Sequence, residues 1–135
     1  MYIPDGYGTV FPYMVVTGAE KLAEFLTHSF GATVIGKTVF PNGRIANIRV
    51  RIGTSSFMLS EASDEAMKAM PASYYLYVED VDAAFASAIA HGAKEIFGPA
   101  DMPYQDRQAG VVDPSGNVWF ISRRLVEEPY DAPTG

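Results

Sequence analysis

Few side chains in this sequence are equipped for chemistry. His28 and His91 are the only imidazoles among 135 residues, and cysteine is absent. Without thiols, disulfides, iron–sulfur clusters and thiolate zinc sites are excluded. Neither histidine belongs to an H-x-H or H-E-x-x-H pattern. Both fall near the C-terminal ends of expected helices, where a basic side chain suits the helix dipole and coordination is not needed to explain them. No G-x-S-x-G elbow is present, so a serine nucleophile has no recognisable setting. Gly31-Ala32-Thr33-Val34-Ile35-Gly36-Lys37-Thr38 satisfies G-x-x-x-x-G-K-[ST] letter for letter. A phosphate loop needs a strand before it and a helix after it. Here a helix precedes and a Pro41-Asn42-Gly43 turn follows, so nucleotide binding is not expected.

The charged candidates are also few. Glu61 closes a strand and is the one carboxylate expected near a binding face, a weak candidate for general base. Arg49 and Arg51 alternate with apolar residues and could present guanidinium forks to an anion. Asp106-Arg107, following Tyr104, is expected either as a rim clamp or as a local surface ion pair.

These residues need elements to position them, and the chain repeats its elements. Phe11 to Val16 leads into a helical stretch ending at Phe30-Gly31-Ala32. Ser73 to Val78 leads into another ending at His91-Gly92-Ala93, an offset of 62 residues from Phe11 to Ser73. The same offset sets Phe57-Met58-Leu59-Ser60 against Trp119-Phe120-Ile121-Ser122. One βαβββ unit is used twice. In the first, Thr17 and Glu20 form an S/T-x-x-E capping box, and Leu22, Phe25, Leu26 and Phe30 recur at helical spacing. In the second, Asp80 caps, Val81, Ala84, Phe85, Ala88 and Ile89 form the stripe, and Gly92 stops the helix. Asn42-Gly43 between alternating runs predicts a hairpin. Module one spans about 9–62, a short helical linker about 63–71, module two about 72–125, and a loose acidic tail 126–135.

Successive side chains of a strand point to opposite faces. Met14, Val16, Phe57, Leu59, Leu76, Val78, Trp119 and Ile121 share one parity, suited to a face covered by helices. The other parity carries Phe11, Tyr13, Met58, Ser60, Ser73, Tyr75, Tyr77 and Phe120. Aromatics mixed with hydroxyls suit a ligand cup, and Arg49, Tyr104 and Arg107 are candidates for its rim. A dimer interface is the competing reading of the same face.

Composition narrows the class of partner. Hydrophobic residues at 48% and charged residues at 19% describe one globular domain rather than a disordered chain. Ten basic against sixteen acidic side chains leave −6, which disfavours nucleic acid and favours cationic ligands at long range. The opening Met1-Tyr2-Ile3-Pro4-Asp5-Gly6 has neither a basic nor an apolar leader segment, and no long apolar run follows, so a cytoplasmic location without membrane contact is expected.

The two βαβββ-like units, the helix start Glu79-Asp80-Val81-Asp82, and Asp113-Pro114-Ser115-Gly116-Asn117 before the last strand form a distinctive set. Over roughly residues 9–125 the chain resembles the vicinal oxygen chelate superfamily of glyoxalase I, extradiol dioxygenases and bleomycin-resistance proteins, and most of all its bleomycin-resistance and PhnB-like branch. The resemblance implies an α+β fold in which paired βαβββ modules curl into a U-shaped mixed sheet, with helices on the convex face, usually in a homodimer. Metal-using members place four ligands at positions that fall here on Phe11, Met58, Ser73 and Phe120. None is a usable metal ligand, so no metal and no cofactor are expected.

Two functions follow as expectations. The first is a metal-independent protein of the bleomycin-resistance type that sequesters or carries a planar aromatic ligand, such as an antibiotic, by stacking in the cup. A cationic ligand would suit the net charge. The alternative is a lyase, isomerase or oxygenase of the same superfamily acting on a small substrate, with Glu61 and Arg107 as its catalytic candidates. The leaning is away from an enzyme.

Overall fold

The computed structural model describes residues 1–63 and 65–131. Asp64 of the expected linker helix and the last four residues of the expected tail lie outside the described residues. Module one runs β1 (Tyr13–Val16), α1 (Ala19–Phe30), β2 (Thr33–Val39), β3 (Ile45–Ile52) and β4 (Ser55–Glu61). Module two repeats it as β5 (Ser73–Tyr77), α2 (Val81–Ala90), β6 (Lys94–Asp101), β7 (Asp106–Val112) and β8 (Val118–Arg124). Each module forms its own four-stranded mixed sheet, in the orders β1-β4-β3-β2 and β5-β8-β7-β6.

The internal repeat survives in the hydrogen-bond register. Tyr13 stands opposite Met58 in the parallel β1–β4 pair, and Tyr75 opposite Phe120 in the parallel β5–β8 pair. The inner strands shift by one residue. Arg49 faces Met58 while Gly110 faces Phe120, so β3 and β7 correspond at an offset of 61. Bulges in both β2 and β6 accompany the shift.

The apolar parity is the helix-covered face. Met14, Val16, Leu59 and Ile121 are buried with Leu22 and Leu26 of α1 in one core shared by both modules. Across the module boundary the Phe30 ring lies 5.4 Å from Trp119, and His28 stacks on His91 at 5.3 Å with planes 13° apart. The histidines therefore sit where the two helix ends meet.

Asp113-Pro114-Ser115-Gly116-Asn117 serves the same junction. The Asp113 carboxylate accepts from the Ser115 and Asn117 amides at 2.8 and 3.0 Å and from the Trp119 indole at 2.8 Å. Asn117 Oδ1 in turn accepts from the Ala72 amide at 3.1 Å, and Ser115 Oγ donates to the Thr17 carbonyl at 3.0 Å. One turn thus orients the sole tryptophan, the start of β5 and the approach to α1.

Three local expectations are corrected. The capping box does not form: the residue before α1 is Gly18 at φ 86, with no side-chain cap of its own. Only glycine adopts that left-handed geometry freely, and the cap comes from another element, as described below. Glu20 pairs instead with Lys37 at 2.9 Å. The described linker is irregular rather than helical, and it lies along β1, with the Met70 amide donating to the Val15 carbonyl at 2.9 Å. The described part of the tail is not loose, because Tyr130 returns to β7. Asp80 does cap α2, accepting from the Ala83 amide at 3.0 Å, and Gly31 ends α1 as expected.

Candidate functional site

The residues expected to line one cup are divided between the two sheets. On sheet one, Tyr13 is half exposed beside Met58. Arg49 is half buried, with Nη1 on Thr38 Oγ1 at 3.2 Å and on Asn47 Oδ1 at 3.0 Å. Its guanidinium occupies the space that a Cβ on Gly36 would fill, 2.6 Å from Nη2. Ser60 follows on β4. Phe11 precedes β1 and packs on the Tyr7 ring at 4.7 Å and on the core.

Sheet two is aromatic. Ser73, Tyr75 and Tyr77 alternate outward along β5, with Tyr75 and Tyr77 about half exposed. The Tyr75 ring lies 5.4 Å from Tyr77 and 6.2 Å from Phe120, and Phe97 lies 6.4 Å beyond Phe120. Gly110 makes this row possible. A Cβ there would stand 2.5 Å from the Phe97 ring, so only glycine lets that ring lie flat across β7. Tyr75, Tyr77, Tyr104 and Tyr130 line a shallow, open and almost wholly apolar depression of about 430 Å³. A second depression of about 260 Å³, between Pro12, Phe57, Trp119 and the same Tyr75 and Tyr77, opens at the seam between the modules.

The hydroxyls of Tyr75, Tyr104 and Tyr130 turn inward onto polar groups of β7, and that of Tyr77 meets the Tyr130 hydroxyl. Asp106 is fully buried. Its Oδ2 accepts from the hydroxyls of Tyr75 and of Tyr130, the latter at 2.6 Å, and its Oδ1 from Arg124 at 3.2 Å. Since the Tyr130 hydroxyl donates to Asp106, its close contact with Tyr77 makes the Tyr77 hydroxyl the donor there. One strand step away, Tyr104 donates to Gln108 Oε1 at 2.5 Å, and Gln108 Nε2 donates to buried Ser122 at 2.8 Å. Gln105 holds φ 68 at the hairpin tip, the one non-glycine residue with positive φ among the described residues, and so sets Tyr104 and Asp106 on either side of the turn.

These contacts set the charge states. Burial by itself would push the Asp106 carboxyl up. The hydrogen bonds from Tyr130, Tyr75 and Arg124, with the Arg124 charge, outweigh it and hold the carboxyl below its ordinary value. Burial, then the hydrogen bond to Asp106, raises both Tyr75 and Tyr130 above the ordinary phenol range. At neutral pH the cluster is one carboxylate, one guanidinium and neutral phenols.

Both catalytic candidates lie elsewhere. Glu61 has the parity of Phe57 and Leu59, toward the helices. Its carboxylate accepts from the Gly18 amide at 3.0 Å and the Ala19 amide at 2.9 Å, supplying from β4 the cap that α1 lacks. Arg107 has the parity of Ala109 and Val111 and also faces away from the cup. It grips Asp82 at 2.8 Å and Asp101 at 3.0 Å, and these bonds raise its already high pKa further. The surface ion pair is therefore the realised option. The carboxylate of the cup is Asp106, which the sequence offered only beside Arg107, as a rim clamp or a surface ion pair, with Glu61 taken as the carboxylate near the cup. Its one signal was parity, because Asp106 and Gln108 alternate with the apolar Ala109 and Val111 of the covered face.

The metal positions of the superfamily carry Phe11, Met58, Ser73 and Phe120. Two phenyl rings, a thioether and one hydroxyl do not make a donor set for a hard or borderline cation. The Met58 sulfur is turned to Asn47 Nδ2, 3.5 Å away. Among the described residues no three His, Asp or Glu side chains gather around a common point.

Comparison with known proteins agrees with this architecture. An uncharacterized protein of Mycobacterium bovis is 27% identical over 130 residues, covering 89% of this chain and 86% of its own. The crystal structure of TioX from Micromonospora sp. ML1 superposes with a TM-score of 0.72 at 22% identity, over 87% of this chain and 100% of that one. A superfamily member from Sphaerobacter thermophilus gives 0.69 at 21%, over 87% and 98%. At these identities the two structures speak for the fold alone. The family model for the Glyoxalase/Bleomycin resistance protein/Dioxygenase superfamily matches residues 9–121, and the chain belongs to that superfamily.

Proposed function

We propose that this protein binds a small molecule without a metal, in the manner of a bleomycin-resistance protein, and sequesters or carries a planar aromatic ligand, such as an antibiotic, in the cup of module two. The observation that carries the reading is a tyrosine-lined apolar depression in which the Tyr75 and Tyr104 hydroxyls are tied to Asp106 and Gln108. These tethers hold the Tyr75 and Tyr104 rings in place before a ligand arrives, so little of their side-chain entropy is lost on binding. Each stacked ring adds about 0.5–1.5 kcal/mol beyond area burial. A positive charge on the ligand suits both the tyrosine faces and the net charge of −6. The enzyme reading has no comparable support, since Glu61 and Arg107 are engaged on the other face. Isothermal titration against a panel of planar aromatic natural products tests the proposal. Binding that weakens by roughly 2- to 10-fold in Tyr77→Ala is expected. A panel with no binder at all would overturn it.

A further inference from the structure

Within that reading of the cup, the chain's own tail indicates what kind of aromatic it takes. Tyr130 lies six residues beyond the end of β8 at Arg124, and no residue of 126–131 belongs to the hydrophobic core. The described tail is held by the phenol itself and by two hydrogen bonds near its root. These run from the Leu125 amide to the Gln105 carbonyl at 2.9 Å and from Arg124 Nε to the Glu128 carbonyl at 3.0 Å. The phenol, in contrast, is held on three sides. Its hydroxyl donates to Asp106 at 2.6 Å, it accepts from Tyr77, and the Arg124 guanidinium covers its ring 4.3 Å from the centroid. The Tyr130 side chain nevertheless leaves about half its surface exposed.

We infer that Tyr130 stands in for a ligand, and that the module-two cup takes a hydroxyaromatic molecule, a phenol or its fused-ring analogue, in exchange for the Tyr130 ring. Asp106 is fully buried and accepts from three donors. When Tyr130 leaves, Oδ2 loses a charge-assisted hydrogen bond that the open depression can replace only with water. A ligand that restores the hydroxyl restores the bond. An ether or a bare hydrocarbon cannot, and the site rejects it. Arg124 supplies the second half of the recognition, a cation over the face of the incoming ring. Because a short tether holds Tyr130 at an effective concentration on the order of millimolar, the tail also sets a threshold that an external phenol must exceed.

Calorimetric titration of the full chain with 2-naphthol and with 2-methoxynaphthalene, for wild type, Tyr130→Ala and Tyr130→Phe, tests this. The expectation is that 2-naphthol binds Tyr130→Ala at least tenfold more tightly than wild type. It should also bind that variant at least tenfold more tightly than 2-methoxynaphthalene does. Tyr130→Phe keeps the ring but gives up the bond to Asp106, so it should also bind 2-naphthol more tightly than wild type. Equal affinity for the two naphthalenes, or 2-naphthol binding that ignores both substitutions, overturns the inference and leaves the aromatic cup standing. No binding of either compound to any of the three proteins overturns the cup itself.

Discussion

Asp106 is the residue on which the candidate site depends. Its carboxyl is held below the ordinary carboxylate value in the folded chain. A depressed folded value means that the cluster contributes stability above the unfolded pKa, about 3.9, and loses it as pH falls through the lower folded one. Tyr75 and Tyr130 are shifted the other way, so their contribution is complete below about pH 10 and is lost as pH rises through their raised values. A urea-denaturation series against pH should therefore decline at both ends. Asp106→Asn should shrink the acid decline and cost about 1–3 kcal/mol at pH 7, because Arg124 loses its charged partner and the two phenols compete for a poorer acceptor. An unchanged acid limb in that variant would place the pH dependence elsewhere.

At the scale of elements, two devices hold secondary structure from a distance. Glu61 reaches from the end of β4 to the first amides of α1. Glu61→Ala should cost about 0.5–2 kcal/mol, as loss of a helix cap does, and Glu61→Gln clearly less, since it keeps one acceptor. Neither should alter the affinity of the tyrosine cup for an aromatic ligand, whereas an acid–base role would make both substitutions abolish turnover. Gly110 keeps β7 low beneath the Phe97 ring. Gly110→Ala should destabilise by about 1–3 kcal/mol through overpacking. It should also disturb the aromatic row, so weaker ligand binding is expected with the chain still folded, checked by titration beside far-ultraviolet circular dichroism.

At the scale of the molecule, the modules are two sheets with one core. Phe30 on Trp119, His28 on His91 and Ser115 on the Thr17 carbonyl all cross the boundary. Unfolding should accordingly be a single transition, with Trp119 fluorescence and circular dichroism coincident. Trp119→Phe breaks the indole bond to Asp113 and should cost about 1–3 kcal/mol. Among the described residues no helix is long and apolar enough to cross a membrane. The reading of the fold as a homodimer is met by native mass spectrometry of the untagged protein, where the expected species is a dimer free of metal. A stoichiometric metal surviving desalting would return the enzyme alternative to the front.

Much of this was already legible in the residues, because local rules sufficed. Alternation along β1, β4, β5 and β8 separates helix-covered from open faces. Gly31 ends α1 and Gly92 follows the His91 cap of α2, and the repeat of 62 residues marks two copies of one unit. The filling of the superfamily's metal positions by Phe11, Met58, Ser73 and Phe120 is likewise a matter of sequence. What local pattern could not reach were contacts between residues far apart in the chain. Thr17 and Glu20 have the spacing of a capping box, yet the cap comes from Glu61, more than forty residues away. Arg107 and Asp106 are neighbours in sequence but point to opposite faces of β7, one to surface carboxylates and the other into the cup. Tyr130 had no pattern to announce it, since a single tyrosine in an acidic tail acquires a role only when the end of β8 delivers it to a buried carboxylate. Tertiary structure decided these cases because hydrogen-bond partners are chosen by proximity in the folded chain, and spacing in the sequence limits that choice only within a turn or two.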